Sequence, residues 1–115
     1  MNRTKLKVGE HVRQGDLLIA RIRNIPKAAL KSERVGHILA FGEVTGHKHE
    51  VVCPNMNSVV VYEGENGGAT IASETEFEVV HNEHPTIEFE KGNYEVTRQR
   101  EYDPIAEGRQ RQVAD

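Results

Sequence analysis

Tryptophan is absent from this chain of 115 residues, and only three phenylalanines and three tyrosines occur. A core with so few large anchors must be built from Val, Ile, Leu and Ala. A single cysteine, Cys53, excludes an intrachain disulfide and points to a reducing compartment. No apolar run approaches the roughly 18 residues of a membrane span, and no apolar leader-like segment opens the chain. The expected setting is therefore cytoplasmic, with no membrane partner. Apolar content is low, at 37%, and in a β protein this points to a partner that covers part of the surface. The length suits one domain that buries its core without staples. The reading is a single β-rich domain over 1–115, with 1–8 and 104–115 as arms.

Basic residues are nearly missing from the middle of the chain. Residues 35–95 carry two Lys/Arg against eleven Asp/Glu, a balance of −9. Residues 1–34 carry nine Lys/Arg against three Asp/Glu, a balance of +6. A basic segment joined to an acidic body suits docking on a neighbouring copy, hence a homo-oligomer, or nucleic acid as the weaker alternative. Two solvated faces of a barrel explain the same pattern.

What is present is period-two alternation. Strands are expected at Asp16–Arg23, Gly36–Phe41, Lys48–Val52, Ser58–Tyr62, Ala69–Ala72, Glu76–Val80, Thr86–Glu90 and Tyr94–Tyr102. Glu65-Asn-Gly-Gly68 marks one hairpin turn, and Lys91-Gly-Asn93 a second, between the last two strands. Pro26–Glu33 is expected as one short helix with Pro26 at its first position. Asp103 and Pro104 open a turn or helix that Gly108 stops. Seven to nine short strands spaced this way predict an all-β fold, a small barrel or a jelly-roll-like sandwich.

Four of the six histidines fall in two tight clusters: His47 and His49, then His81 and His84. Side chains two apart on a strand share a face, so His47 and His49 present two imidazoles together. Pro85 biases His84 toward an extended backbone. Two plus two imidazoles suit a divalent transition metal: zinc, nickel, iron or copper. Glu50 and Glu83 are candidates to supply a carboxylate, though both alternate away from the paired rings if the strands are regular. Solvated surface histidines, or an acid–base pair without metal, are the competing readings. Neither pair is followed by the Thr or Ser of a paired His-x-Thr phosphoesterase, so no reaction is assigned.

Gly46-His-Lys-His49 on a strand, a later histidine and the closing Lys91-Gly-Asn-Tyr-Glu-Val96 together resemble the cupin, or double-stranded β-helix, pattern. The resemblance spans roughly residues 36–96. It implies a jelly-roll barrel with a metal in its mouth, held by His47, His49 and His81 or His84. The family's glutamate, expected four to five residues after the second histidine, is replaced by Cys53 and Pro54. Gly42-Glu-Val-Thr-Gly-His-Lys-His49 and Arg98-Gln-Arg-Glu-Tyr102 are also similar to a small bacterial or phage-type family without an assigned activity.

Arg98, Arg100 and Tyr102 share one strand face with Tyr94 and Val96. Arginine beside tyrosine stacks bases or clamps phosphate, so these three are the candidate residues for a ligand or partner. Cys53 reads as a small buried hydrophobe. The leading expectation is a metal- or small-ligand-binding module built on the histidine cluster. The alternative is a non-enzymatic structural or interaction protein that forms a homo-oligomer, or binds nucleic acid through its basic N-terminal segment.

Overall fold

Alternating Val, Ile and Leu give nine short strands in the computed structural model, which describes residues 4–41 and 46–99. They are β1 (His11–Gln14), β2 (Leu17–Ile22), β3 (Ile38–Phe41), β4 (Lys48–Val52), β5 (Val59–Glu63), β6 (Ala69–Ser73), β7 (Phe77–Val80), β8 (Ile87–Phe89) and β9 (Gly92–Arg98). Every strand pairing is antiparallel. One sheet runs β1-β2-β9-β6-β5 and the other β3-β4-β7-β8. The fold is all-β, a sandwich of two sheets, as the period of two predicts. Among the described residues no helix is long and apolar enough to cross a membrane.

The inner faces bury Leu17, Ile19, Val61, Ile71 and Val96 from the larger sheet against Leu39, Val51, Phe77, Val79 and Phe89 from the smaller. The burial pattern alternates along β2, β5 and β7, as the pleat demands. Half of the chain's six aromatics gather in one place. Phe77 and Phe89 stack at 5.1 Å, and Tyr94 meets each edge-on, at 5.4 and 5.1 Å. Tyr94 comes from the larger sheet and the two phenylalanines from the smaller, so this cluster clamps the sheets together. The Tyr94 hydroxyl donates to Glu90 O at 2.8 Å, which satisfies the polar atom of this aromatic cluster.

Before β1, the Thr4 amide donates to Glu88 O and Leu6 is buried. Between β2 and β3 the chain crosses to the other sheet, held by Arg34. Its guanidinium grips Glu63 with two nitrogens, at 2.6 and 3.0 Å, and donates to the carbonyls of Ile38, Leu39 and Gly68.

The short helix expected in 26–33 is present as a single 3-10 turn, Ala29–Lys31, with no buried residue, because Ala28, Ala29 and Leu30 offer too little apolar surface to hold more. Two other features differ from expectation. The expected hairpin between the last two strands does not form. β8 pairs with β7, whereas β9 pairs with β2 and β6 in the other sheet. Gly92 makes this step at φ +149, and a Cβ there would meet the Arg21 guanidinium at 2.9 Å. Finally, β1 is a strand that the polar run His11-Val-Arg-Gln14 did not announce. The expected turn at Asp103–Gly108 lies outside the described residues.

Removing a phenyl ring of the clamp should cost most of the marginal stability of a domain this size. Phe89→Ala is expected to lower the unfolding free energy by about 3–5 kcal/mol in urea titration. A loss under about 1 kcal/mol would mean that the aromatic cluster does not hold the sheets together.

Candidate functional site

The site lies at one end of the sandwich, where β1, β3, β7 and β9 finish and β2 and β4 begin. Strand register assembles it. Glu50 pairs with Val80, so the next step along both strands sets His49 beside His81. Their rings lie 4.3 Å apart at 40°. His84 follows on the loop after β7. Its ring lies 4.7 Å from His81 and 6.4 Å from His49. His47, on the same side of its strand as His49, is edge-on to His81 at 5.8 Å. All four expected histidines are thus neighbours. Their settings differ: His49 is 1% exposed, His47 and His81 are half-buried, and His84 is exposed.

His49 is held by residues that sequence reasoning missed. β1 and β2 join through the two-residue turn Gly15-Asp16, with Gly15 at φ +60. A glycine first in a two-residue loop is the pattern of a tight hairpin. The turn carries Gln14, Gly15 and Asp16 from the larger sheet onto the histidines of the smaller. Gln14 is 2% exposed. Its Nε2 donates to Val79 O at 3.0 Å and to Pro85 O at 2.9 Å. Its Oε1 faces His49 Nδ1 at 2.8 Å. On the other side of the ring, His49 Nε2 lies 3.3 Å from Asp16 Oδ1. Gly15 lies flat against the rings. A Cβ there would come within 2.8 Å of His84 Nε2 and 3.4 Å of His49 Cε1. The Gln-Gly-Asp run was the available signal, a tight-turn tripeptide before an apolar strand.

Arg98 joins the site through register. It sits opposite Leu17, and its Nε donates to Asp16 Oδ2 at 2.8 Å while Nη2 donates to Phe41 O at 2.7 Å. Arg100 and Tyr102, its expected companions, lie outside the described residues. Glu50 alternates away from the rings and pairs with Lys48 at 3.7 Å. Glu83 does not stay away: its Oε1 comes within 3.5 Å of His47 Nδ1. The Glu83 amide also donates to His81 Nδ1 at 3.0 Å. Cys53 is at the far end of β4, roughly 13 Å along the strand from His49 at the usual rise. It is buried, and its thiol donates to Asn55 O at 3.1 Å. It lines a pocket of about 400 Å³ with Val52, Pro54, Phe77 and Phe89, which contains none of the histidines.

Electrostatics keep His49 and His81 largely uncharged at neutral pH. Burial lowers His49 from 6.5 to about 4, and the neighbouring His81 adds to this, against the opposing pull of Asp16. Burial also lowers His81, helped by His84 and His47. Burial pushes the Asp16 carboxyl up, but its hydrogen bond to Arg98 and the Arg98 charge outweigh that and hold it below 3.8. Two neutral imidazoles beside an ionised carboxylate favour a cation over an anion.

Among the described residues, no group of three or more His, Cys, Asp or Glu side chains stands ready to hold a metal ion. His49, His81 and His84 lie tilted or face to face, at 40°, 46° and 8°, whereas ligation needs ring edges turned to one point. The donor types fit a transition metal, but the present rotamers do not yet converge.

Residues 13–99 match the model of a family described as Domain of unknown function (DUF8820). The match takes in Gln14, Gly15, Asp16, Arg98 and all four histidines of the cluster, and the chain belongs to that family. No curated protein and no solved structure matches it.

The lowered His49 value has a consequence for stability. The unfolded ring takes up a proton near 6.5 and the folded ring near 4. Between these values the unfolded chain binds more protons, so stability is complete above 6.5 and falls as pH drops through the window. The difference corresponds to roughly 3 kcal/mol. Melting temperature should therefore decline from pH 7 to pH 4, and His49→Gln should flatten that decline. An equal decline in the variant would assign the effect to other groups.

Proposed function

We propose that this member of the DUF8820 family binds a divalent transition-metal ion, of the zinc, nickel, copper or iron class, through His49, His81 and His84, with His47 as a further donor. The observation that carries the reading is the gathering of three imidazoles within 4.3–6.4 Å of one another, the buried one fixed and the others on its solvent side. Binding requires His81 and His84 to turn, and both have the freedom of partial exposure. If His81 gives up the Glu83 amide, the loss is one exposed hydrogen bond, about 1 kcal/mol. That is small beside the roughly 10 kcal/mol or more that a structural zinc ion supplies.

Metal that binds only the folded chain stabilises it. At a free concentration about 100 times the dissociation constant, the gain is about 2.7 kcal/mol, a rise on the order of 10 °C in melting temperature. Metal-free protein without a polyhistidine tag should show this rise with zinc and lose it with a chelator. The double variant His81→Ala, His84→Ala should melt alike with and without zinc. No response in the parent chain would remove the metal reading and leave a histidine cluster with a purely structural role.

A second reading is self-association. Glu78 and Glu88 stand directly opposite each other across β7 and β8, an arrangement of like charges that destabilises a sheet pair. Val52, 40% exposed, is the cross-strand partner of Glu78 on β4. A basic surface on a second copy, such as exposed Arg23, Lys27 and Lys31, relieves that repulsion. Exposed ion pairs are weak and screened by salt. Light scattering at tens of micromolar protein, at low and high salt, should reveal an oligomer that loosens as salt rises. A monomer throughout would sink this reading.

A further inference from the structure

The two hydrogen atoms of the Gln14 amide go to Val79 O and Pro85 O. Turning the amide over would set its carbonyl oxygen against two other carbonyl oxygens, so the orientation is fixed by its partners. Its Oε1 is then an acceptor, and His49 Nδ1, at 2.8 Å, carries the hydrogen that it accepts. A neutral His49 therefore has its lone pair on Nε2. That lone pair faces a carboxylate oxygen, Asp16 Oδ1, at 3.3 Å. Two acceptors held this close need something positive between them: a proton or a metal ion.

The spacing suits a metal ion as well as a long hydrogen bond. Two donors bonded at about 2.0–2.1 Å to one tetrahedral ion stand roughly 3.3–3.4 Å apart. The His49–Asp16 separation is the edge of such a tetrahedron. The remaining contacts fit the same role. Asp16 spends Oδ2 on Arg98 and leaves Oδ1 toward the ring. A histidine whose Nδ1–H is held by a fixed acceptor presents Nε2 to a metal in one orientation. Gly15, lacking a side chain, leaves room for the His84 ring over the pair.

We propose that Asp16, at the tip of the β1–β2 hairpin, is a metal ligand that shares the ion with His49 Nε2, and that Gln14 is the positioning residue that sets the His49 tautomer. This rests on the metal reading of the histidine cluster. It makes the site a joint one, with the carboxylate from the larger sheet and the imidazoles from the smaller. A mixed nitrogen and oxygen donor set favours zinc or iron(II) over copper(I).

Zinc titration calorimetry on the full, metal-free chain tests it, with Asp16→Asn and Arg98→Gln side by side. Both variants break the Asp16–Arg98 pair, but only the first removes the carboxylate. Asp16→Asn should weaken zinc binding at least about tenfold, the lower end of what losing even an orienting partner costs a metal site. Arg98→Gln should bind as the parent does, or more tightly. Nitrogen-15 spectra of the parent's histidine rings give a readout that does not depend on either variant folding. On adding zinc, the His49 Nε2 resonance should move while Nδ1 stays protonated. In the metal-free Gln14→Ala variant the Nδ1–H tautomer should lose its dominance; if it persists unchanged, Gln14 has no positioning role. Equal zinc affinity in Asp16→Asn and the parent, or an equal loss in both pair-breaking variants, overturns the role of Asp16. So does an unmoved His49 Nε2. Zinc binding that disappears in His81→Ala, His84→Ala but survives in Asp16→Asn leaves the histidine reading standing and removes Asp16 from it. A parent chain that binds no zinc removes both.

Discussion

The side chain of Gln14 joins the two sheets at the end where the histidines gather. It belongs to an edge strand of the larger sheet, yet its amide makes three hydrogen bonds to the smaller one: to Val79 O, to Pro85 O and to His49 Nδ1. A buried amide left unpaired costs more than a paired one contributes, so this arrangement is all or nothing. It fixes the height of the β1–β2 turn over β4 and β7. With that height set, Asp16 comes to His49, Arg98 finds Asp16, and Gly15 lies against His84.

The opposite end of the sandwich is closed by different means. Phe77, Phe89 and Tyr94 meet ring to ring there, and apolar burial and aromatic packing do the work. The two ends therefore have separate tasks. The aromatic end supplies non-directional cohesion, which tolerates small shifts. The polar end supplies directional bonds, which set individual atoms. A site that must hold an imidazole nitrogen within a few tenths of an ångström belongs at the second.

Much of the fold was legible in the residues because side-chain period and turn chemistry are local. Lys48–Val52 was expected as a strand and is one, and Val59–Glu63 turns back on Ala69–Ser73 as the Glu65–Gly68 signal implied. Sheet membership was not legible. Lys91-Gly-Asn93 says that the chain reverses, but a reversal inside one sheet and a step between two sheets use the same residues. The structure takes the step, since Tyr94 is needed between β2 and β6. β1 was missed for a related reason. An edge strand with one neighbour needs little apolar surface, and in His11–Gln14 only Val12 packs against the core.

The candidate site divides the same way. That His47 and His49 share a face follows from strand parity, and that His81 and His84 sit at a strand end follows from Pro85; both are properties of a few consecutive residues. Gln14 and Asp16 carry only the tight-turn signal of Gln-Gly-Asp, and Arg98 was expected on a strand face with Arg100 and Tyr102, with nothing to place it beside Asp16. Each is an ordinary polar residue in sequence, far along the chain from its partners in the site. Their roles arise only when strand register aligns Leu17 with Arg98 and carries His49 past Val80 to His81. Local chemistry along the chain determined which segments are strands and which imidazoles travel together. The tertiary structure decided what faces them, because hydrogen bonds between distant strands depend on register, and register is a property of the assembled sheets.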